Sequence, residues 1–154
     1  MRLVGLILLA VILAVAAFAI WVRVAPYDAS RWHRAAEARS VGDYPAPGAF
    51  EAVRRPAVGV EEALHAIDAV AMSTPRTRRV SGAPDTGMMT YETRSARMAF
   101  PDYTTVSVVS DGAEPLVSIR GRLRFGQADM GVNVRRIRDW LSRLDGVLVP
   151  LDAG

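Results

Sequence analysis

The sequence predicts an α+β fold, with an N-terminal transmembrane helix followed by a small antiparallel sheet that has helices packed on one face. The first observation behind this prediction is a segment without any charged side chain, residues 3–22. The second is a series of runs rich in Thr, Tyr and Val and bounded by turn residues, as strands are: residues 88–96, 104–109 and 116–125. The third is an amphipathic helical pattern on either side of these runs, at residues 60–72 and 134–144.

The composition of the 154 residues fits one domain with a hydrophobic core and one further segment. There is no cysteine, which excludes disulfides, thiol nucleophiles and cysteine metal sites. All 19 basic side chains are arginines, and the net charge is +3. Because the arginine fork binds carboxylate and phosphate groups, this surface suits an anionic partner. A net charge of +3 is too small to indicate nucleic-acid binding, and no motif predicts a cofactor.

Residues 3–22 predict a helix that crosses a membrane. As a helix this segment is about 30 Å long, which matches the hydrocarbon core of a bilayer. Trp21 lies at its end, where an amphipathic ring favours the interface, and Arg23 follows. The alternative is a cleaved signal peptide, with Arg2 as its charged start and residues 17–19 as its small-x-small cleavage site. The length favours an uncleaved anchor.

The charges around this segment give opposing indications of which side of the membrane the domain occupies. Arg2 precedes the segment, and four arginines follow it: Arg23, Arg31, Arg34 and Arg39. By the positive-inside rule alone, the domain would stay in the cytoplasm. A cleaved signal peptide would deliver it outside, and downstream domains are often translocated regardless of charge. Together these arguments predict a single-pass protein of the inner membrane with a periplasmic domain.

The chain is predicted to have three parts: an anchor or signal peptide over residues 1–23, a connector over 24–49 and an α+β domain over 50–154. In the connector, Asp28 or Ser30 could cap a short helix through residues 31–39. Two prolines and a glycine at residues 45–48 would end any helix there. His33 has no carboxylate at a suitable spacing, so we interpret it as a surface or interfacial histidine.

The helix predicted over residues 60–72 carries polar groups beside its buried face. Its apolar stripe has 3.6-residue spacing: Val60, Leu64, Ile67 and Ala71. On the neighbouring face, Glu61, His65 and Asp68 could hold a metal or polarise a general base. No further histidine or cysteine is available to complete such a site, so we interpret the set as a solvated flank and predict no metal.

The strand predicted over residues 116–125 has one apolar and one basic face. The apolar positions, which point to the predicted core, are Val117, Ile119, Gly121, Leu123 and Phe125. On the other face, Ser118 is followed by Arg120, Arg122 and Arg124. Alternate residues stand about 7 Å apart, and like charges in a row repel one another. Acids from neighbouring elements, with Glu92 and Asp102 as candidates, or an external anion are therefore expected to neutralise this row.

The segment FGQADMGVN, residues 125–133, joins this strand to the last helix. Two of its glycines permit backbone angles that side chains resist: Gly126 and Gly131. Asp129 or Asn133 can cap the exposed helix amides, and Arg136 is placed to reach back to Asp129. The same geometry could bind a ligand, since a helix N-terminus with arginines nearby attracts anions. The candidate ligand-binding residues are therefore Arg120, Arg122, Arg124, Asp129, Asn133 and Arg136.

The segment RFGQADMGVNVRR, residues 124–136, resembles the signature of an uncharacterised, mainly bacterial family, DUF1499. That signature is roughly Arg-Ser-x-Ser-Arg followed by G-x-x-D-x-G-x-N-x-x-R. The positions that match are Arg120, Arg124, Gly126, Asp129, Gly131, Asn133 and Arg136. Residues 94–95 and 100–102 resemble the preceding family segment, and the similarity covers residues 50–144.

Two positions depart from this signature, because Gly121 and Leu123 stand where the family has serines. Serine-based chemistry is therefore not expected in this chain. The family has no established activity, so the resemblance implies a domain and a habit of envelope targeting, and no reaction.

These features predict a membrane-anchored accessory or ligand-binding domain of the cell envelope that binds an anionic small molecule or a lipid headgroup and is not an enzyme. The alternative is a hydrolase acting on an anionic envelope substrate, with Asp129 as base and arginines holding the anion. Neither histidine lies near Asp129 in the sequence, which favours the first prediction. A third candidate is a subunit of a membrane complex, which Gly5 supports only weakly because no second glycine follows four residues later. The sequence names no protein partner.

Overall fold

The computed structural model describes residues 2–96, 98–112 and 114–151. The helices of the described chain are α1 (Arg2–Val24), α2 (Ala29–Trp32), α3 (Val60–Ser73) and α4 (Val132–Ser142). The strands are β1 (Gly42–Ala46), β2 (Ala49–Arg54), β3 (Thr77–Ala83), β4 (Met88–Arg94), β5 (Pro101–Asp111) and β6 (Glu114–Leu123). The predicted α+β class with an apolar N-terminal helix is confirmed. The last three residues of the predicted domain, 152–154, lie outside the described residues.

Helix α1 has the length and the apolar composition needed to cross a membrane. Its 23 residues correspond to a length of about 34 Å. None of its apolar window is buried against protein, so the leucines, isoleucines and valines of the helix present an uninterrupted apolar surface. Both the anchor and the signal-peptide predictions require a helix of this kind.

The sheet is antiparallel throughout, with the strand order β1-β2-β6-β5-β4-β3. Four of the five strand pairings join strands that are consecutive in the chain, and the fifth pairs β2 with β6 in the middle of the sheet. In the β5–β6 hairpin, Asp111 pairs with Glu114 and Gly112 has a φ of 73° in the turn between them.

Helices α3 and α4 cover one face of the sheet and form the hydrophobic core with it. The largest buried members of this core are Trp140, Tyr91, Ile67, Met89, Ile119 and Ile137. The Trp140 and Tyr91 rings meet edge to face, with their centroids 5.7 Å apart. The Tyr91 hydroxyl donates to Asp68, and the Trp140 indole donates to Thr74, so the polar tips of both rings are satisfied at the core boundary. Helices α3 and α4 thus pack on one face of the sheet, as predicted.

The opposite face of the sheet is polar, and residues 25–36 cover its centre. Trp32 is the main cover: its side chain is buried, and its ring lies 4.6 Å from the Tyr103 ring, centroid to centroid. The Trp32 carbonyl oxygen accepts hydrogen bonds from Thr105 Oγ1 at 2.9 Å and from Arg122 Nη2 at 2.5 Å. The segment predicted as a connector therefore packs on the sheet.

Two further contacts hold this segment in place beyond Trp32. His33 Nδ1 lies 2.9 Å from Thr90 Oγ1 on β4, and the Ala36 amide donates to Ser107 Oγ on β5 at 3.2 Å. His33 is therefore an interfacial histidine, as the sequence indicated.

The prediction of a helix over residues 31–39 is wrong. The structure has a helix of four residues, Ala29–Trp32, with His33 as its C-cap. From His33 onward, the hydrogen bonds of this segment go to side chains on the sheet and not to the preceding helical turn. The segment is therefore extended. The sequence also did not predict β1, β2 and β3. None of the three has the regular alternation of apolar and polar residues expected of a strand. The first, β1, contains a proline, and β2 buries Glu51 and Arg54. The third, β3, is an exposed edge strand with adjacent arginines.

Candidate functional site

The structure separates the six candidate residues into two groups, and the sheet lies between them. The first group lies on and just after β6, on the polar face beneath residues 25–36: Arg120, Arg122 and Arg124. The second group lies at the start of α4 on the helical face: Asp129, Asn133 and Arg136. The two groups therefore form two separate candidate sites.

In the first group, Arg122 is bound by neutral oxygen atoms. Its Nη2 donates to the Trp32 carbonyl at 2.5 Å and to Thr105 Oγ1 at 2.6 Å, while its Nε has no partner among the described residues. Burial, followed by repulsion from Arg120, lowers the pKa of Arg122 to about 10. Arg122 is therefore stabilised by hydrogen bonds to the Trp32 carbonyl and the Thr105 hydroxyl, and not by an acidic side chain.

Arg124 links the residues that follow α1 to a series of hydrogen bonds on the polar face. Its Nη2 donates to the Pro26 carbonyl at 2.8 Å, and its Nη1 donates to the Tyr103 hydroxyl at 2.7 Å. The Tyr103 hydroxyl in turn donates to Glu92 Oε2 at 3.4 Å. Glu92, which was predicted to neutralise the row, thus reaches Arg124 only through a tyrosine.

Glu92 has direct partners of its own on β3 and β4. Its Oε1 accepts hydrogen bonds from Arg94 at 2.8 Å and from Arg78 at 3.2 Å. Burial alone would raise the pKa of Glu92, but the two arginines outweigh burial and hold the pKa below its usual value. Glu92 is therefore an ionised acid whose charge is already paired.

Arg120 makes no hydrogen bond to any residue that the structure describes. Glu51 stands directly opposite it on β2, but the Glu51 carboxylate accepts from Ser118 Oγ at 2.7 Å and lies 3.8 Å from an Arg39 nitrogen. Arg120 is thus the member of the row whose charge is available to a partner outside the described chain.

The second group is organised by Asp129, which caps the last helix from outside its first turn. One carboxylate oxygen accepts from the Gly131 amide at 3.1 Å. The other accepts from the Asn133 amide at 2.8 Å and from Asn133 Nδ2 at 2.7 Å. Burial alone would raise the pKa of Asp129, but these N–H donors outweigh it and hold the pKa below its usual value. The cap predicted at Asp129 is present, and Gly126 and Gly131 both have positive φ, at 99° and 75°.

Arg136 is bound to Asn133 and lies near Asp102, whereas the sequence predicted a direct pair with Asp129. Its Nη2 donates to Asn133 Oδ1 and lies 3.8 Å from Asp102 Oδ2. Since Asn133 Nδ2 donates to Asp129, the Asn133 carboxamide relays the link between aspartate and arginine. The Arg136 side chain is 7% exposed, and its Nε has no partner among the described residues. Burial lowers the pKa of Arg136 in spite of the nearby acids.

Asp102 lies beside Arg136, so the prediction that it neutralises the arginine row is wrong. Successive residues of a strand point to opposite faces, and Tyr103 occupies the polar face, so Asp102 points to the helical face. Burial raises the pKa of Asp102 to about 6, and the repulsion by Asp129 adds to it, against the opposing effect of Arg136. Asp102 therefore gains a proton in mildly acid solution.

Arg136 and Asp102 line a cleft of about 440 Å³ between α4 and the ends of β4 and β5. Its charged lining residues are Arg76, Arg94, Asp102, Arg135, Arg136 and Asp139. Within the described residues, Arg76 and Arg135 have no carboxylate partner, since Arg76 Nε donates to the Arg94 carbonyl and Arg135 Nη1 to the Met130 carbonyl. Arg94 is paired with Glu92, and the three remaining arginines against two aspartates still leave the cleft an excess of positive charge.

Five of the charged cleft residues were not among the sequence candidates: Arg76, Arg94, Asp102, Arg135 and Asp139. One signal could have found two of them, because Arg94 and Asp102 fall in the segments that resemble the family upstream of its main motif. Arg76 precedes an edge strand that the sequence did not predict, so no local pattern connects it with α4. Only the packing of α4 beside the ends of β3 and β4 brings it to the cleft.

The polar flank of α3 forms a different set from the one predicted. Asp68 accepts hydrogen bonds from Tyr91 and Arg79 and is not available to a metal. Glu61 and His65 instead approach Asp85, with one ligand atom of each residue within 4.8 Å of the others. His65 Nε2 lies 3.1 Å from Asp85 Oδ1. All three side chains are exposed, and the contact between His65 and Asp85 lies at the protein surface.

A family model described as "Protein of unknown function (DUF1499)" matches residues 35–144 of the chain. The match includes every residue of the second group and every lining residue of the cleft named above. It begins within the segment that covers the polar face. No curated protein matches the chain.

Proposed function

We propose that this chain, which belongs to the DUF1499 family of proteins of unknown function, is a membrane-anchored protein of the cell envelope that binds an anionic ligand in the cleft beside Arg136. The anchor is α1, and the domain lies on the periplasmic side of the inner membrane. The observation that carries the proposal is the unpaired positive charge of the cleft, in which Arg76 and Arg135 have no acidic partner among the described residues.

The buried end of the cleft supports the same proposal. Arg136 is nearly inaccessible to water, and its Nε is left without an acceptor in the described chain. A buried N–H group without a partner costs free energy, on the order of 1–3 kcal/mol, and an oxygen atom of a bound anion would remove that cost. Asp102 moderates the site, because its ionised form competes with a bound anion for Arg136.

The alternative function, hydrolysis of an anionic substrate, has less support. It assigned the role of base to Asp129, whose two carboxylate oxygens accept three N–H hydrogen bonds. A carboxylate held in this way has a lowered pKa and is a poor proton acceptor. Asp129 is better explained as the residue that fixes the start of α4 and thereby positions Arg135 and Arg136.

Thermal unfolding of the full chain in a neutral detergent tests the proposal. Inorganic phosphate should raise the Tm of the wild type over chloride at equal ionic strength, by about 3–6 °C at ten times Kd. The Arg76→Gln/Arg135→Gln double variant should lose this increase. The control is Arg138→Gln, which removes one charge from the same helix without touching the cleft and should keep the full response.

Phosphate also stabilises proteins by being excluded from their surfaces, so the difference between the variants is the decisive quantity. An equal Tm increase in the wild type and in the double variant would refute the cleft as an anion site. A response that is lost in Arg120→Gln and kept in Arg76→Gln/Arg135→Gln would also refute it, and would move the site to the arginine row on the polar face.

A further inference from the structure

Two aromatic side chains of the apolar helix α1 contact the domain directly. The Phe18 ring meets the Phe100 ring edge to face at 6.3 Å, and the Trp21 ring meets the Phe125 ring at 5.3 Å, centroid to centroid. Phe100 and Phe125 also lie 6.3 Å apart. Since Phe18 belongs to the membrane-spanning segment, these contacts put the loops that carry Phe100 and Phe125 at the level of the bilayer interface.

The junction between helix and domain is packed and hydrogen-bonded. Val22, one turn after Phe18, is fully buried, and Ala25 is 8% exposed. Arg124 donates to the carbonyls of Ala25 and Pro26. The domain is therefore held against the end of the anchor, without a free linker between them.

Exposed apolar side chains lie near Phe100 and Phe125 in the sequence. Met98 precedes Phe100 and is 48% exposed, while Met130 follows Phe125 in the next turn and is 86% exposed. Val132, at the start of α4, is 40% exposed. Large apolar groups at loop tips are costly in water, whereas at the headgroup level of a bilayer they are stabilised.

The walls of the cleft are continuous with these loops. On one side, the Ser95 amide donates to the Phe100 carbonyl at 2.9 Å. On the other side, Arg135 Nη1 donates to the Met130 carbonyl at 2.9 Å. Ser95 and Arg135 both line the cleft, so its mouth lies within a few residues of the groups that contact the membrane-spanning helix.

From this arrangement we infer that the anion bound in the cleft is the phosphate headgroup of an acidic membrane lipid, which enters from the bilayer surface between the Met98 and Met130 loops. The inference rests on the proposed function, because it names the ligand class of the same site. A phosphodiester headgroup suits the chemistry, since arginine forks bind phosphate oxygens and Arg76 and Arg135 have no acid in the described chain. A free phosphate would use the same arginines but would gain nothing from the exposed methionines.

The test measures lipid and phosphate binding separately on the full chain. Detergent-solubilised protein is titrated with phosphatidylglycerol or phosphatidylcholine, and retained lipid is counted by native mass spectrometry. We expect Arg76→Gln/Arg135→Gln to weaken phosphatidylglycerol retention roughly tenfold or more, as expected for lost charged hydrogen bonds, and Arg138→Gln to leave it unchanged. Phosphatidylcholine, which has no net charge, should be retained equally by all variants.

A second variant separates the lipid from a free anion. Met98→Gln/Met130→Gln leaves the cleft arginines and the net charge in place and makes the loop tips hydrophilic. It should lose phosphatidylglycerol retention and keep the Tm response to inorganic phosphate. If the wild type responds to phosphate but retains phosphatidylglycerol no better than phosphatidylcholine, the lipid inference is overturned and the proposed function stands. If neither anion distinguishes the wild type from the arginine variant, both are wrong.

The depth of the loops is measured directly in bilayers. The chain has no cysteine, so Met130→Cys provides one thiol for a fluorescent label. Its control is Ser110→Cys, at the exposed far end of the long strand β5, about 30 Å along the strand from Phe100. In phosphatidylcholine nanodiscs, headgroup spin labels should quench the label at position 130 and not the one at position 110. Equal quenching at both positions would overturn the inferred docking of the loops.

Discussion

Gly121 on β6 lies so close to Asn133 on α4 that a Cβ atom at position 121 would be 2.7 Å from Asn133 Oδ1 and 3.1 Å from its Cβ. The contact fixes how closely α4 approaches the sheet. The Asn133 side chain cannot turn aside freely, because its carboxamide is bound to both Asp129 and Arg136.

Gly121→Ala should therefore destabilise the protein by about 1–3 kcal/mol, as overpacking of a tight contact usually does. Chemical denaturation of the full chain measures the change. In an Asn133→Ala background, where Oδ1 and Cγ are absent, the same substitution should cost markedly less. Additive effects of the two substitutions would contradict a clash between these residues.

Asp129→Ala should also destabilise the protein by about 1–3 kcal/mol, because three N–H groups lose their acceptor. The Asp129 pKa is lower in the fold than its ordinary value of 3.8. Its contribution is therefore present above that value and is lost as the pH falls through the folded pKa. Denaturant midpoints at neutral pH provide the measurement, with Asp145→Ala as the exposed control. A midpoint unchanged by Asp129→Ala would show that Asp129 does not stabilise the start of α4.

Asp102 should give the opposite dependence on pH. Its folded pKa of about 6 is above its ordinary value of 3.8, so the folded state holds a proton between these values that the unfolded state has released. The free energy of unfolding should thus fall by roughly 3 kcal/mol as the pH rises from 4 to 6, and level off above. The measurement is the difference between wild type and Asp102→Asn, which lacks this titration. Parallel pH profiles for the two proteins would show that Asp102 is not perturbed.

The proposed membrane anchor has a direct biochemical consequence. With α1 uncleaved, the protein should sediment with membranes and resist extraction by alkaline carbonate. A membrane-inserted apolar helix of 23 residues is not released from the bilayer by a rise in pH. Full recovery in the soluble periplasmic fraction, with a new N-terminus near Ile20, would instead establish the signal-peptide alternative.

Trp32 should be essential to the stability of the domain although it lies in the predicted connector. Trp32→Ala removes a buried ring from Tyr103 and exposes the polar layer beneath, so a loss of about 3–5 kcal/mol is expected. Arg34→Ala, two residues away and exposed, is the control and should have little effect. A tolerated Trp32→Ala would mean that the cover contributes no packing energy.

Most of the regular structure could be predicted from the sequence, because it follows from local periodicity. The uncharged stretch predicted α1, the spacing of Val60, Leu64 and Ile67 predicted α3, and the alternation along residues 116–125 predicted β6 and its two faces. The cap at Asp129 was predictable for the same reason, since a cap and its helix are neighbours in the chain.

The predictions failed where partners come from distant parts of the chain. Arg122 is bound by the carbonyl of Trp32, ninety residues earlier, and a backbone carbonyl leaves no mark in a sequence. Asp102 was assigned to the arginine row on the basis of charge, but the pleat of β5 points it to the other face. A charge pattern indicates that an arginine needs a partner, but it does not identify the partner.

The sequence by itself determined an apolar helix, an antiparallel sheet with helices on one face, and a capped turn before the last helix. The tertiary structure alone decided that the arginine row lies under Trp32 and that Arg76, Asp102 and Arg136 meet in one cleft. The physical reason is that periodicity and capping involve residues within about one or two turns of each other. A cleft is created by the packing of elements far apart in sequence, which becomes definite only when the core has closed.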